Sequence, residues 1–177
     1  DPDIVAAMNA WLMLTEADAY ISELWIRFVP HFGVDELMIS RLHPIPDEGM
    51  RFKLGGRELI FLPAHFLHSE GNFQVYDPTS KILFSGDLGA SIGPDYVQVT
   101  DFDAHVQYME GFHRRYMPST TANKHWARMV RQLDIQMIVP QHGAMFGTPE
   151  LSQRFIDWID GLPGAATSME SVFQIPK

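Results

Sequence analysis

The spacing of apolar positions changes along the chain, and the predicted elements change with it. Ile4, Val5, Met8, Trp11 and Leu12 share one side of a 3.6-residue period, so Ile4 to Leu14 is expected to be helical. Ala19 to Ser22 reads as a short strand, Glu23 to Phe32 as a helix closed by Gly33, and Leu37 to Leu42 as a strand. The Pro44, Pro46 and Gly49 cluster reads as a loop. Two hairpins follow. Arg51 to Leu54 and Arg57 to Leu62 flank Gly55-Gly56, a two-residue turn signal. Phe73 to Tyr76 and Lys81 to Phe84 flank Asp77-Pro78-Thr79-Ser80, a second turn.

From residue 101 the helical period returns. Asp101 to Met117 and Thr121 to Leu133 predict helices, separated by Pro118 and the cap signals Ser119-Thr120-Thr121. Gln136 to Pro140 is expected to be a short buried strand, and Thr148-Pro149-Glu150 opens a last helix. Hairpins followed by helix–strand–helix predict an α/β layered domain rather than an all-β barrel. The domain is expected over residues 1–160, with residues 161–177 as a loose tail rich in Pro, Gly and small side chains. Trp11, Trp25, Phe112, Trp126 and Trp158 recur at helical spacing and are expected in the core.

Composition narrows the function. A net charge of -9 excludes a nucleic-acid surface, which needs clustered Lys and Arg. No stretch reaches the length of a membrane span, and no secretion signal is visible. The absence of cysteine removes thiolate ligands and thiol nucleophiles and fits a reducing cytoplasm. Any metal must be held by His, Asp or Glu. The chain opens on Asp1-Pro2-Asp3 without an initiator Met, directly before the first helix, and is read as a fragment.

Three segments share one design, an apolar β-type run that ends in a metal-capable side chain near glycine. They are Leu59 to Gly71 with His68, Ile82 to Gly89 with Asp87, and Met137 to Gly143 with His142. Strand ends hold ligands rigidly, and glycine lets the backbone turn around an ion. A single carboxylate such as Asp87 can bridge two cations. Taken singly, His142 reads as a hydrogen-bonded structural histidine, Asp87 as a turn former, and Asp1 and Asp3 as N-caps. The combination carries the metal reading.

His68-Ser-Glu-Gly71, a hairpin, and then Phe84-Ser-Gly-Asp87 resemble the third and fourth motifs of the metallo-β-lactamase superfamily. Val139-Pro-Gln-His-Gly143 resembles the last motif. The spacings, 19 from His68 to Asp87 and 55 from Asp87 to His142, are similar to the flavodiiron branch. That resemblance implies a metallo-β-lactamase-like αββα sandwich, incomplete at its N-terminus. In the family's first motif, His-x-Glu-x-Asp-His, Asp1 takes the Glu position, Asp3 the Asp position and Ile4 that of the last His. The first His then falls two residues before Asp1. By resemblance, Asp1, His68 and Asp87 serve one iron, and Asp3, Asp87 and His142 the second.

The resemblance implies a non-haem diiron protein that binds O2, with NO as a further ligand, and acts as a reductase or an oxygen sensor. Its partners would be the diatomic ligand and an electron donor or signalling protein, with a homodimer in keeping with the family. The chain shows no flavin-binding loop. The alternative from another class is a dinuclear zinc hydrolase of the same fold, acting on an ester, thioester or phosphodiester through a metal-activated water. The carboxylate-rich first motif favours iron, since hard oxygen ligands lower the preference for zinc. His65 and Glu70 lie close enough in sequence to His68 to act around the centre. His105 and His113 are expected either to border the ligand cavity or to lie on a solvated helix face.

Overall fold

The computed structural model describes residues 7–32 and 36–176, which fall into two compact units, Asp1–Met50 and Arg51–Lys177. In the first unit, helix α1 (Met8–Leu14) precedes strand β1 (Ala19–Ser22), and a short helix α2 (Glu23–Ile26) starts on the hydroxyl of Ser22. Two 3-10 turns, Val29–Phe32 and Glu36–Arg41, lead into strand β2 (Leu42–Ile45). β2 pairs in parallel with β1, Ala19 opposite Leu42 and Ser22 opposite Ile45. Leu12, Val29 and Leu42 form the small core here, with Met8, Ala19 and Ile21 packed against it. Arg41 closes the C-terminal end of α1: its guanidinium donates to the carbonyls of Leu12, Thr15 and Ala17. Cations are favoured at that end because the last helical carbonyls have no intrahelical partner.

Three expectations are corrected in this unit. The helix predicted over residues 23–32 ends at Ile26, and a 3-10 turn, Val29–Phe32, takes the rest. The strand predicted over residues 37–42 is a 3-10 turn, and the strand lies at Leu42–Ile45, where Pro44 had predicted a loop. Proline is tolerated in a strand at an edge, and β2 is one edge of a two-stranded sheet. Trp11, expected in the core, is 66% exposed, and Leu12 is the buried residue of α1. The C-cap expected at Gly33 lies outside the described residues.

The second unit is a five-stranded sheet in the order β3 (Met50–Leu54), β4 (Arg57–Pro63), β5 (Phe73–Asp77), β6 (Ile82–Gly86), β7 (Met137–Pro140). Both predicted hairpins are present. Gly55 and Gly56 take φ of +55° and +84°, the backbone of a two-residue turn that matches strand twist. At the second, the Asp77 carboxylate accepts from the Thr79 amide and the Ser80 hydroxyl, both at 2.8 Å. Those bonds hold the Asp77 carboxyl below its ordinary pKa, the Ser80 hydroxyl first among them.

β6 and β7 run parallel, so the chain crosses between them through α3 (Phe102–Tyr116) and α4 (Thr120–Val130). α5 (Pro149–Gly161) and the short α6 (Ala165–Ser168) follow. Each long helix begins on a side-chain cap, at Ser119 and Thr148 where cap signals were expected and at Asp101 where only the helix was. Asp101 accepts from the Ala104 amide, Ser119 from that of Ala122, and Thr148 from that of Leu151. Leu83, Ile138, Met109, Trp126, Val130, Phe146, Phe155 and Ile159 build the core between sheet and helices. One buried polar pair is embedded in it: the Trp126 indole donates to Gln74 at 2.8 Å, and the Gln74 amide donates to the Ser85 carbonyl at 3.1 Å. The first part of the expected tail is ordered on this unit, with Leu162 and Ala165 buried and the Ala165 amide donating to the Met117 carbonyl. Among the described residues, no helix is long and apolar enough to cross a membrane.

Candidate metal centre

Sheet register decides which loops meet. β5 is antiparallel to both β4 and β6, so β4 and β6 point the same way, and β7 is parallel to β6. Pro63 pairs with Phe73, and Gly86 is level with Pro140, so the C-terminal ends of β4, β6 and β7 share one edge. Asp87 follows β6 directly, His142 comes two residues after β7, and His68 lies in the loop beyond β4.

Each loop is anchored before it presents its side chain. In the His68 loop, the amide of Ala64 donates to the Asn72 carbonyl and that of Leu67 to the Ala64 carbonyl, while the Asn72 side chain donates to Leu67. Leu67 is buried, at 1% exposure. The Asp87 turn is held by the Leu88 amide on the Ser85 carbonyl, the Ala90 amide on the Asp87 carbonyl, and the Ser85 hydroxyl on the Leu88 carbonyl. Leu88 is fully buried. Burying a leucine contributes about 1.5–3 kcal/mol, so each of these loops carries its own hydrophobic anchor beside the functional residue.

The His142 turn is tied to both neighbours. The Gln141 amide donates to the Gly86 carbonyl at 2.8 Å, and the Ser91 amide to the His142 carbonyl at 3.3 Å. The Ala144 amide donates to the Ser91 hydroxyl at 3.0 Å. Gly143 has φ +83°, and a Cβ there would lie 2.0 Å from the Ser91 Oγ. Only glycine fits that turn.

The side chains converge on the Asp87 carboxylate. His68 Nε2 lies 3.2 Å from its Oδ2, and His142 Nε2 lies 3.5 Å from its Oδ1. The two oxygens therefore serve different imidazoles. Asp87 Oδ1 is buried and has no hydrogen-bond partner, an arrangement that costs free energy unless something else satisfies the oxygen. Among the described residues, no three His, Asp or Glu side chains close around one point as a complete single-ion site. What the edge offers is one carboxylate divided between two imidazole nitrogens. The donors are nitrogen and oxygen, which suit iron, manganese or zinc, and the buried unpaired oxygen fits a cation. Asp1 and Asp3, the two other expected ligands, and Ile4 lie outside the described residues.

Around the centre, the rings of Tyr116 and Phe112 stand 5.3 and 5.9 Å from that of His68. Phe112, expected as a core residue, is thus partly a wall of the site. Tyr116 was not singled out by any motif. His65 sets its edge on Phe73, and Glu70 is exposed. His105 and His113 border no open face and lie on no solvated one, since both are completely buried. His113 Nδ1 is 2.8 Å from the Met109 carbonyl, and its Nε2 accepts the Gly89 amide at 2.9 Å. Burial pushes its pKa down to about 4, with the Met109 carbonyl opposing. His105 Nδ1 is 2.8 Å from the Tyr96 hydroxyl, and burial lowers its pKa too. The burial was legible in the spacing, because Phe102, His105, Met109 and His113 are the buried face of α3 and recur every three or four residues.

Residues 1–143 match the family model described as ODP family beta lactamase. This chain belongs to the ODP family. Among solved structures, this ODP-family chain is similar to the apo state of the chemotaxis sensor ODP from T. denticola, with TM-score 0.89 and 42% identity over 98% of this chain and 70% of that one. A second structure, the peroxy diiron species of chemotaxis sensor ODP, gives TM-score 0.89 and 43% identity over 98% of this chain and 72% of that one. A flavo di-iron protein from Thermotoga maritima shares the fold, with TM-score 0.68 and 17% identity over 81% of this chain and 35% of that one. An uncharacterized protein of Methanocaldococcus jannaschii is 28% identical over 121 residues, and the match spans 64% of this chain and 30% of that protein. The mixed α/β, metallo-β-lactamase-like fold and the diiron branch expected from the motifs are those the relatives have.

Proposed function

We propose that this chain holds a non-haem diiron centre that binds O2, and that it acts as an oxygen sensor. The observation that carries the reading is the divided carboxylate of Asp87, one oxygen facing His68 and the other, buried and unpaired, facing His142. In this reading His68, Asp87 and His142 would hold the two irons, with Asp87 contributing to both and Asp1 and Asp3 completing the set. Bound ferrous iron would supply the electron density that a diatomic ligand needs. The protein supplies position and access. Phe112 and Tyr116 stand beside His68, whose side chain is 23% exposed, whereas the His142 side chain is 56% exposed, so a small ligand would enter from the His142 side. Support for a sensor over a reductase comes from the chemotaxis sensors named above, at 42–43% identity over nearly the whole chain.

An anaerobic titration with Fe(II) tests the reading, followed by removal of free metal and elemental analysis. About two irons per chain are expected for the wild type, and loss of both in Asp87→Ala, because one carboxylate serves both positions. Iron retained by Asp87→Ala would sink the bridging role. Two tightly held zincs with no uptake of iron would move the chain to the hydrolase reading.

A further inference from the structure

Three residues in the last turn of α3 address both arms of the centre. Phe112 and Tyr116 set their rings against His68, while His113 turns to the core and meets the loop that follows Asp87. Both nitrogens of His113 are engaged: Nε2 accepts the Gly89 N–H, which leaves the proton on Nδ1, where it is donated to the Met109 carbonyl. Gly89 stands two residues after Asp87 with φ +99°, and a Cβ there would lie 2.8 Å from Pro140, 3.2 Å from Phe146 and 3.3 Å from Phe155. Leu88 and Ala90 on either side are buried, so the Gly89 amide must find its partner inside the protein. The rings of Phe112, Phe155 and Trp158 stand at 5.1–6.4 Å from the imidazole and fix its plane. The bonds made within residues 85–90 would travel with the loop if it moved, and the ties from Gln74 to Ser85 and from Gln141 to Gly86 hold the strand end that precedes Asp87. On the other side of Asp87, the bond to His113 ties Gly89 to a helix.

We propose that His113 is a positioning residue for Asp87, clamping the Gly89 amide so that the carboxylate stays aimed between His68 and His142. The inference rests on the diiron reading for its consequence, though not for the clamp itself. Residues that orient a ligand rather than touch the metal typically change metal affinity about 10–100-fold when replaced.

The test compares His113→Gln with His113→Asn in the full chain. The Gln amide oxygen reaches the place of Nε2 and can accept from Gly89; the Asn side chain reaches only the place of Nδ1. Two readouts are taken, amide hydrogen exchange at Gly89 without metal, and Co(II) titration followed by its visible absorption. Wild type and His113→Gln are expected to protect Gly89 and to bind Co(II) alike. In His113→Asn, Gly89 exchange should rise roughly tenfold or more and Co(II) affinity fall about 10–100-fold. A folded His113→Asn with wild-type exchange and wild-type Co(II) affinity overturns the proposal. So does His113→Gln that is as impaired as His113→Asn. Should His113→Asn not fold, His113→Gln decides alone, by matching wild type or by losing both. A wild-type chain that takes up no Co(II) overturns the diiron reading, while exchange at Gly89 still upholds or overturns the clamp.

Discussion

Replacing Gly143 by alanine probes how tightly the turn that carries His142 is built. The backbone there has φ +83°, which costs an L-residue about 1–2 kcal/mol. The new Cβ would lie 2.0 Å from Ser91 Oγ, 2.4 Å from the Ser91 carbonyl oxygen and 2.9 Å from its nitrogen. The hydroxyl can swing away, but the backbone atoms cannot without moving the segment, and such overpacking costs about 1–3 kcal/mol. A displaced Ser91 hydroxyl also releases the Ala144 amide, and an unpaired buried donor costs about 1–3 kcal/mol. Because these effects overlap, the expected loss is roughly 3–6 kcal/mol against a total stability of about 5–15. Equilibrium urea denaturation of the metal-free chain, read by circular dichroism, should show the midpoint falling by about 2 M. Ser91→Ala alone should cost about 1–3 kcal/mol. The double variant should stay well below Ser91→Ala, since the carbonyl at 2.4 Å is still in the way. A loss under about 1 kcal/mol for Gly143→Ala, or a double variant as stable as Ser91→Ala, would refute the reasoning.

Other consequences can be checked on the same protein. His113 is held neutral with a folded pKa of about 4, so the unfolded chain binds the extra proton between the ordinary value near 6.5 and that of the folded state. Its contribution is therefore present above the unfolded pKa and lost as pH falls; by pH 5 the wild type should lose about 2 kcal/mol more than His113→Gln. Parallel pH–stability curves for the two would contradict this. Gln74→Leu leaves the Trp126 indole unpaired in the core and the Ser85 carbonyl with the Leu88 amide alone, and should destabilise by about 1–3 kcal/mol in urea unfolding, whereas an exposed change such as Gln153→Leu should stay within about 0.5.

Local chemistry was legible in the sequence and distant pairing was not. Gly55-Gly56, the Asp77 turn and the caps Asp101, Ser119 and Thr148 act within a few residues, so their elements appear at the expected places. β2 depends on β1, more than twenty residues earlier, and its Pro44 points locally to a loop; that strand was misplaced. Trp11 was assigned to the core on size and spacing, yet Leu12 supplies the buried contact. His68, Asp87 and His142 were visible because each ends an apolar run beside glycine. The tie from His113 to Gly89 spans 24 residues and has no motif. Only the crossover that lays α3 over the β6 edge brings them together.

The central claim is that Asp87 and its two histidines hold a diiron centre that takes up O2. Its most direct test is the optical spectrum of the Fe(II)-loaded chain, recorded anaerobically and again after addition of O2. A new charge-transfer band that scales with bound iron, and is absent from Asp87→Ala, is the predicted result. An unchanged spectrum from a chain carrying its full complement of iron would contradict the account.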